Sequence, residues 1–92
     1  MPKAYRSRGR VVMEILATLQ REGPVGVTRL TSVANLTPGR VQEHLAEFEA
    51  NGLVESRPGG DRAAWTLTPR GAQALEELRR VDRAMQDFGI HL

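Results

Sequence analysis

The stretch Thr28–Val54, TRLTSVANLTPGRVQEHLAEFEANGLV, decides how this chain folds. Leu30, Val33 and Ala34 fall at i, i+3 and i+4, the spacing that gathers three apolar side chains on one face of a helix. Asn35 follows, a residue that tolerates the left-handed backbone closing a helix. Thr37-Pro38 then opens another. The threonine supplies an N-cap hydroxyl, and proline suits the first helical position because that N–H has no helical partner anyway. Val41, Leu45 and Phe48 form the apolar face of this second helix, which the pattern predicts over 37–51, and Leu36 sits in the turn between the two.

Two helices so briefly joined describe a helix-turn-helix, an arrangement whose second helix fits the DNA major groove. Asn51-Gly52 ends that helix, Gly52 being free to take positive φ, and Leu53–Arg57 follows as a strand. The turn formers Pro58-Gly59-Gly60-Asp61-Arg62 lead into a second strand, Ala63–Leu67. A helix-turn-helix followed by a β-hairpin is a winged helix. The blocks "NGLVE", a Gly-rich tip and "WTLTPRG" resemble winged-helix transcriptional regulators of the MarR, ArsR and PadR type, and the layout is similar to that of small archaeal winged-helix proteins that dimerise through a C-terminal helix. The resemblance runs from about Arg8 to the end. It implies a mainly α fold with a small β-hairpin wing (α+β), a C-terminal dimerisation helix, double-stranded DNA and a second copy as partners, and no cofactor.

Around this centre, Val12, Ile15, Leu16 and Leu19 predict an amphipathic first helix from Ser7 to about Glu22, stopped by Gly23-Pro24. Met1 to Tyr5 read as a loose arm. Val25-Gly26-Val27 is expected as a minor third strand beside the wing, with Thr28 as the next N-cap. Thr68-Pro69 repeats the device of Thr37-Pro38 and opens a last helix. Ala72, Leu75, Leu78, Val81, Met85 and Phe88 would form one continuous stripe along it, longer than a small body can cover. Leu75, Leu78, Val81, Met85 and Phe88 are therefore the candidate dimerisation residues, with Glu76, Glu77, Arg79, Arg80, Asp82, Arg83 and Asp87 as charged flanks. The chain divides into a DNA-binding part, 1–68, and the dimerisation helix, 69–92; the other arrangement for that helix is folded back over the first.

The 92 residues suffice for one modest core, and 40% apolar with 26% charged residues is an ordinary globular composition. With no cysteine, disulfides, thiolate zinc sites and a cysteine nucleophile all fall away. No apolar run approaches the ~20 residues of a membrane span, and no signal-peptide pattern follows the N-terminus. A cytoplasmic, nucleoid-associated location is expected.

Net charge is only +2, but its distribution is uneven. Lys3, Arg6, Arg8 and Arg10 crowd the first ten residues without an acid, and Arg57, Arg62 and Arg70 bracket the hairpin. Arm and wing are thus candidates to run along phosphates, with Arg62 the leading minor-groove or phosphate contact; the competing reading is solvated basic surface. On the second helix of the helix-turn-helix, Gly39, Gln42, Glu43, Ala46, Glu47 and Ala50 oppose the apolar face. The small residues allow close approach to a groove. Gln42 has the chemistry to read adenine, Arg40 to reach guanine or a phosphate, and Glu43 to accept from cytosine. The candidate DNA-binding set is Arg6, Arg8, Arg10, Thr37, Gly39, Arg40, Gln42, Glu43, Arg57 and Arg62.

Between Pro38 and Ala50, however, one arginine faces Glu43, Glu47 and Glu49, a net of −2. Carboxylates repel phosphates, so two readings stand: a regulator whose arm and wing supply affinity while the helix selects, or an adaptor whose acidic helix binds a protein. His44 beside the apolar face reads as a packing or phosphate-contacting residue, and His91 offers no second metal ligand. Trp65 reads as core. No phosphate loop or HExxH motif is present, and an enzyme is not expected. No separate effector domain is evident.

Overall fold

Ser7 caps the first helix, α1 (Arg8–Glu22), its hydroxyl accepting from the Arg10 N–H at 3.1 Å. The computed structural model describes residues 7–59 and 62–90. α1 is the central element, touching both neighbouring helices and the hairpin, and it buries Val11, Met13, Ile15, Leu16 and Leu19. Val12, expected inward, is only partly covered in the first turn, and Val11 takes the buried position. Gly23 ends the helix at φ 79°, its N–H returning to the Leu19 carbonyl at 3.0 Å.

The second helix, α2, spans Val27–Ala34, its cap falling two residues before the expected Thr28. Val25 exchanges two backbone hydrogen bonds with Trp65, of 3.1 and 2.8 Å, and the chain turns helical as soon as that bridge is made. Gly26 becomes the N-cap, without a side-chain bond. The expected third strand thus reduces to the single bridge at Val25. Leu30 and Ala34 are buried and Val33 partly so. Asn35 then closes α2 in the left-handed conformation, φ 55° and ψ 48°.

α3 spans Pro38–Ala50 with Thr37 as its cap and Val41, Leu45 and Phe48 buried, as the pattern predicts. Gly52, at φ 76°, releases the chain into β1 (Val54–Gly59), which pairs antiparallel with β2 (Arg62–Leu67). The register runs from Val54↔Leu67 to Gly59↔Arg62. The hairpin is therefore longer than expected: Pro58 and Arg62, assigned to the turn, are paired in the ladder. β1, which carries the proline, is an edge strand, where the missing donor is tolerated.

The last helix, α4, spans Pro69–Asp87, and Thr68 does more than cap it. Its Oγ1 accepts from the Gly71 N–H at 3.0 Å and donates to the Gly52 carbonyl at 2.6 Å, tying the start of α4 to the end of α3. Arg70 is drawn to the same joint, Nε donating to the Asn51 carbonyl at 3.0 Å. α4 packs on α1, and Leu75 is fully buried in the core with Ile15, Leu16, Leu19, Leu30, Val41, Leu45 and Val54.

The expected continuous stripe along α4 divides in two. At about 100° per residue, steps of three drift backwards, so Leu75 and Leu78 face the body with the half-buried Met85 close to the line of Leu78, while Val81 and Phe88 lie roughly a quarter-turn away. Phe88 stands at the C-cap, beyond the last helical residue, and is 82% exposed; Val81 is 49% exposed. The body-facing line continues instead to Asp82, a buried acid.

Candidate nucleic-acid interface

Because Val41, Leu45 and Phe48 are buried, α3 turns Gly39, Gln42, Glu43, Ala46 and Ala50 to the outside, all of them exposed. Thr37 and Arg40 are exposed at its N-terminal end. Beside this face a cleft of about 960 Å³ opens between α3, the start of α2 and the hairpin. Gln42, Ala46 and Glu49 line it from α3, Thr28, Arg29 and Ser32 from α2, and Arg62, Ala63 and Trp65 from β2. Arg62 reaches across to Thr28, Nη1 to Oγ1 at 3.4 Å.

The family profile described as winged helix-turn-helix matches residues 5–86. The chain belongs to that winged helix-turn-helix family. A search of curated proteins gave no match. Among solved structures, the chain superimposes on Sso10a-2, a DNA-binding protein from Sulfolobus solfataricus, with a TM-score of 0.82 at 17% identity, covering 90% of this chain and 85% of that one. The transcriptional regulator BldR from Sulfolobus solfataricus gives 0.70 at 22% identity, covering 85% of this chain and 61% of BldR. A MarR family transcriptional regulator from Silicibacter pomeroyi gives 0.67 at 25% identity, covering 84% and 56%. The winged helix-turn-helix body is thus shared, while this chain spans less than two thirds of either regulator.

Within this winged helix-turn-helix, each acid of α3 has a partner. Arg8, at the start of α1, forms an ion pair with Glu47. Arg40 lies 3.7 Å from Glu43, and the Ser56 hydroxyl donates to Glu49 at 3.3 Å. Counting Arg8 with the helix changes the local charge from −2 to −1. These are exposed pairs, individually weak, but they turn positive groups toward the carboxylates that would otherwise repel a phosphate.

The basic residues singled out from sequence are dispersed. Arg8 joins α3 through Glu47, whereas Arg10 turns away to Asp82 on α4, Nη2 to Oδ1 at 3.0 Å. Arg57 stands on the wing, 3.8 Å from Glu55, and Arg70 is held at the Asn51 carbonyl. Lys3, Arg6 and His91 lie outside the described residues, as do Gly60 and Asp61 of the wing. Of the five candidate pairing residues, Leu75 is fully buried in the chain's own core, Leu78 packs against it and Met85 is half-buried, so Val81 and Phe88 are the ones presented outward.

Burial pushes the His44 imidazole below its ordinary pKa; the Arg8 charge acts in the same direction and Glu47 opposes it. Its ring stacks at a tilt on Phe48, 5.8 Å between centroids. Hydrogen bonds from Arg29, of 2.9 and 2.7 Å, hold the Glu22 carboxyl below its usual range, and the pair raises Arg29. Among the described residues no cluster of three or more His, Cys, Asp or Glu is arranged to hold a metal, and no helix is long and apolar enough to cross a membrane.

Thr28, Arg29 and Ser32 were not among the sequence candidates. The sole signal for them is their i, i+1, i+4 spacing on the polar side of α2, and what makes them part of the cleft is the position of a hairpin that begins more than twenty residues later.

Proposed function

We propose that this chain is a sequence-specific, double-stranded DNA-binding transcriptional regulator that acts as a homodimer in the cytoplasm, on the nucleoid. The observation that carries the reading is the cleft in which Gln42 and Ala46 of α3, Thr28 of α2 and Arg62 of the wing share one open surface. The small side chains of α3 let its backbone approach base edges, with Gln42, Arg40 and Glu43 as the reading groups. A phosphate strand following the cleft would meet Arg62 and Thr28, and Arg57 lies farther along the wing. Sso10a-2 is described as DNA-binding, and BldR and the Silicibacter pomeroyi protein as transcriptional regulators, which supports the same assignment here.

For the second copy, the support is the outward apolar surface of Val81 and Phe88, flanked by the half-buried Met85 and extended by Ile90 at 48% exposure. In this reading 1–68 is the DNA-reading part and 69–92 the pairing helix, with Leu75 anchoring the latter to the body. The acidic-helix adaptor is the weaker reading, because Glu47 and Glu43 are already engaged by Arg8 and Arg40.

Fluorescence-anisotropy titration against duplex DNA at several salt concentrations tests the proposal. Arg62→Ala should weaken binding to all sequences alike and flatten the salt slope by about one unit, while Arg40→Ala should lose about 1–3 kcal/mol of discrimination between sequences. A folded protein with no affinity for duplex at low salt would overturn it.

A further inference from the structure

Asp82 occupies a position where the packing of α4 calls for an apolar side chain. Together with Gly71, Leu75 and Leu78 it lies on the face turned to the body, at i, i+4, i+7 and i+11, and it is only 8% exposed. Both carboxylate oxygens are satisfied. Arg10, in the first turn of α1, donates to Oδ1 at 3.0 Å, and Gln86, one turn further along α4, donates to Oδ2 at 3.0 Å. Beside it α4 presents its other, outward face, Val81 and Phe88.

The two kinds of contact along α4 differ in what they fix. Burial of Leu75 and Leu78 favours contact with α1 but is non-directional, so a helix held by it alone can roll or slip with modest loss. A charge-assisted hydrogen bond is directional, and a polar group placed in an otherwise apolar seam acts as a selector of register at some cost in stability. The outward face lies roughly a quarter-turn from the inward one, so the roll of α4 about its axis sets where Val81 and Phe88 point.

We infer that Arg10 and Asp82 are positioning residues: their pair fixes the roll and register of α4 on the body, and thereby the separation and relative orientation of the two α3 helices in the dimer. The inference rests on the pairing reading above and adds to it the element that would match the protein to the spacing of its half-sites. It also gives Arg10 a task other than direct contact with DNA.

The chain contains no cysteine, so one introduced at the exposed end of α3, Ala50→Cys, carries a single nitroxide label per copy. Double electron–electron resonance on the labelled full chain then reads the distance between the two α3 helices, with light scattering giving the mass of the same samples. The expected result is a dimer with one narrow distance peak, and loss of that single peak in Asp82→Ala at unchanged dimer mass. Should Asp82→Ala fail to fold by circular dichroism, Arg10→Gln, which removes the donor from the less buried side, carries the same expectation. A dimer whose distance distribution is broad before substitution, or unchanged after it, overturns the inference while leaving the pairing intact. A monomeric mass for the unsubstituted protein overturns both.

Discussion

The imidazole of His44 sits half covered on α3, between the buried Phe48 ring and the charges of Arg8 and Glu47. Its pKa is lowered in the folded chain, so on acidification the unfolded chain takes up a proton first. The stability that His44 contributes is therefore complete above its ordinary value of 6.5, declines as pH falls from there through the lowered folded value, and levels off below it. Glu22, lowered from 4.5, acts in the same sense only in more acidic solution, so between about pH 7.5 and about pH 5 a difference between the unsubstituted chain and a His44 variant reports on His44. Urea denaturation across that interval should show a smaller loss of stability in His44→Gln than in the unsubstituted protein, and parallel losses would contradict the assignment. Residues of this kind show how far sequence reasoning reaches. Thr37, Asn35 and Gly52 act on neighbours a few positions away, and their roles are readable from local spacing. Arg8 and Arg10 look alike in sequence as parts of a basic arm, yet one pairs 39 positions away on α3 and the other 72 positions away on α4. Only the packing of the helices separates them.

Among the elements, α4 is the one whose docking was least readable. Its periodicity marks a helix correctly, but steps of three residues allow either one winding stripe or two adjacent faces, and only the position of α1 selects the second. What lets the start of α4 come so close to the base of the hairpin is Gly71. A Cβ built there would stand 2.1 Å from the Leu53 carbonyl oxygen and 2.6 Å from Leu67 Cδ1, and the first of these is backbone that cannot swing aside. Alanine favours a helix by about 1 kcal/mol over glycine, but here the forced displacement of Leu53 outweighs that gain. Gly71→Ala should lose stability toward the upper end of the roughly 1–3 kcal/mol typical of overpacked sites. Gly39→Ala on α3 provides the contrast, since its Cβ would meet nothing within 4 Å. That variant should be unchanged or slightly more stable. Comparing the two denaturation midpoints distinguishes steric docking from helix propensity, and equal shifts would refute the close-approach argument. The hairpin shows a related limit: turn-forming residues locate the wing, but pairing extends through Pro58 to Gly59↔Arg62 because β1, which carries the proline, is an edge strand.

At the scale of the whole molecule, the core is complete without a partner while α4 still carries apolar surface. Leu75 closes the core on the body side; Val81, Phe88 and Ile90 remain 49%, 82% and 48% exposed. A second copy related by a twofold axis would cover this line and would use each position twice. Val81→Glu is the informative substitution, because the side chain is half exposed in the single chain and its change leaves the core untouched. Losing about 1.4 kcal/mol of apolar burial per copy amounts to about 2.8 kcal/mol per dimer, or roughly a 100-fold weaker association. Sedimentation equilibrium over a concentration series should show the variant shifting toward monomer while its circular dichroism stays near that of the unsubstituted chain, and its thermal midpoint should fall only by the stability that pairing contributes. The same shift should lower affinity for a duplex carrying two half-sites far more than for one carrying a single half-site, since linked heads gain from effective concentration and separate ones do not. If Val81→Glu associates as strongly as the original, the pairing face lies elsewhere and the outward line on α4 has another role.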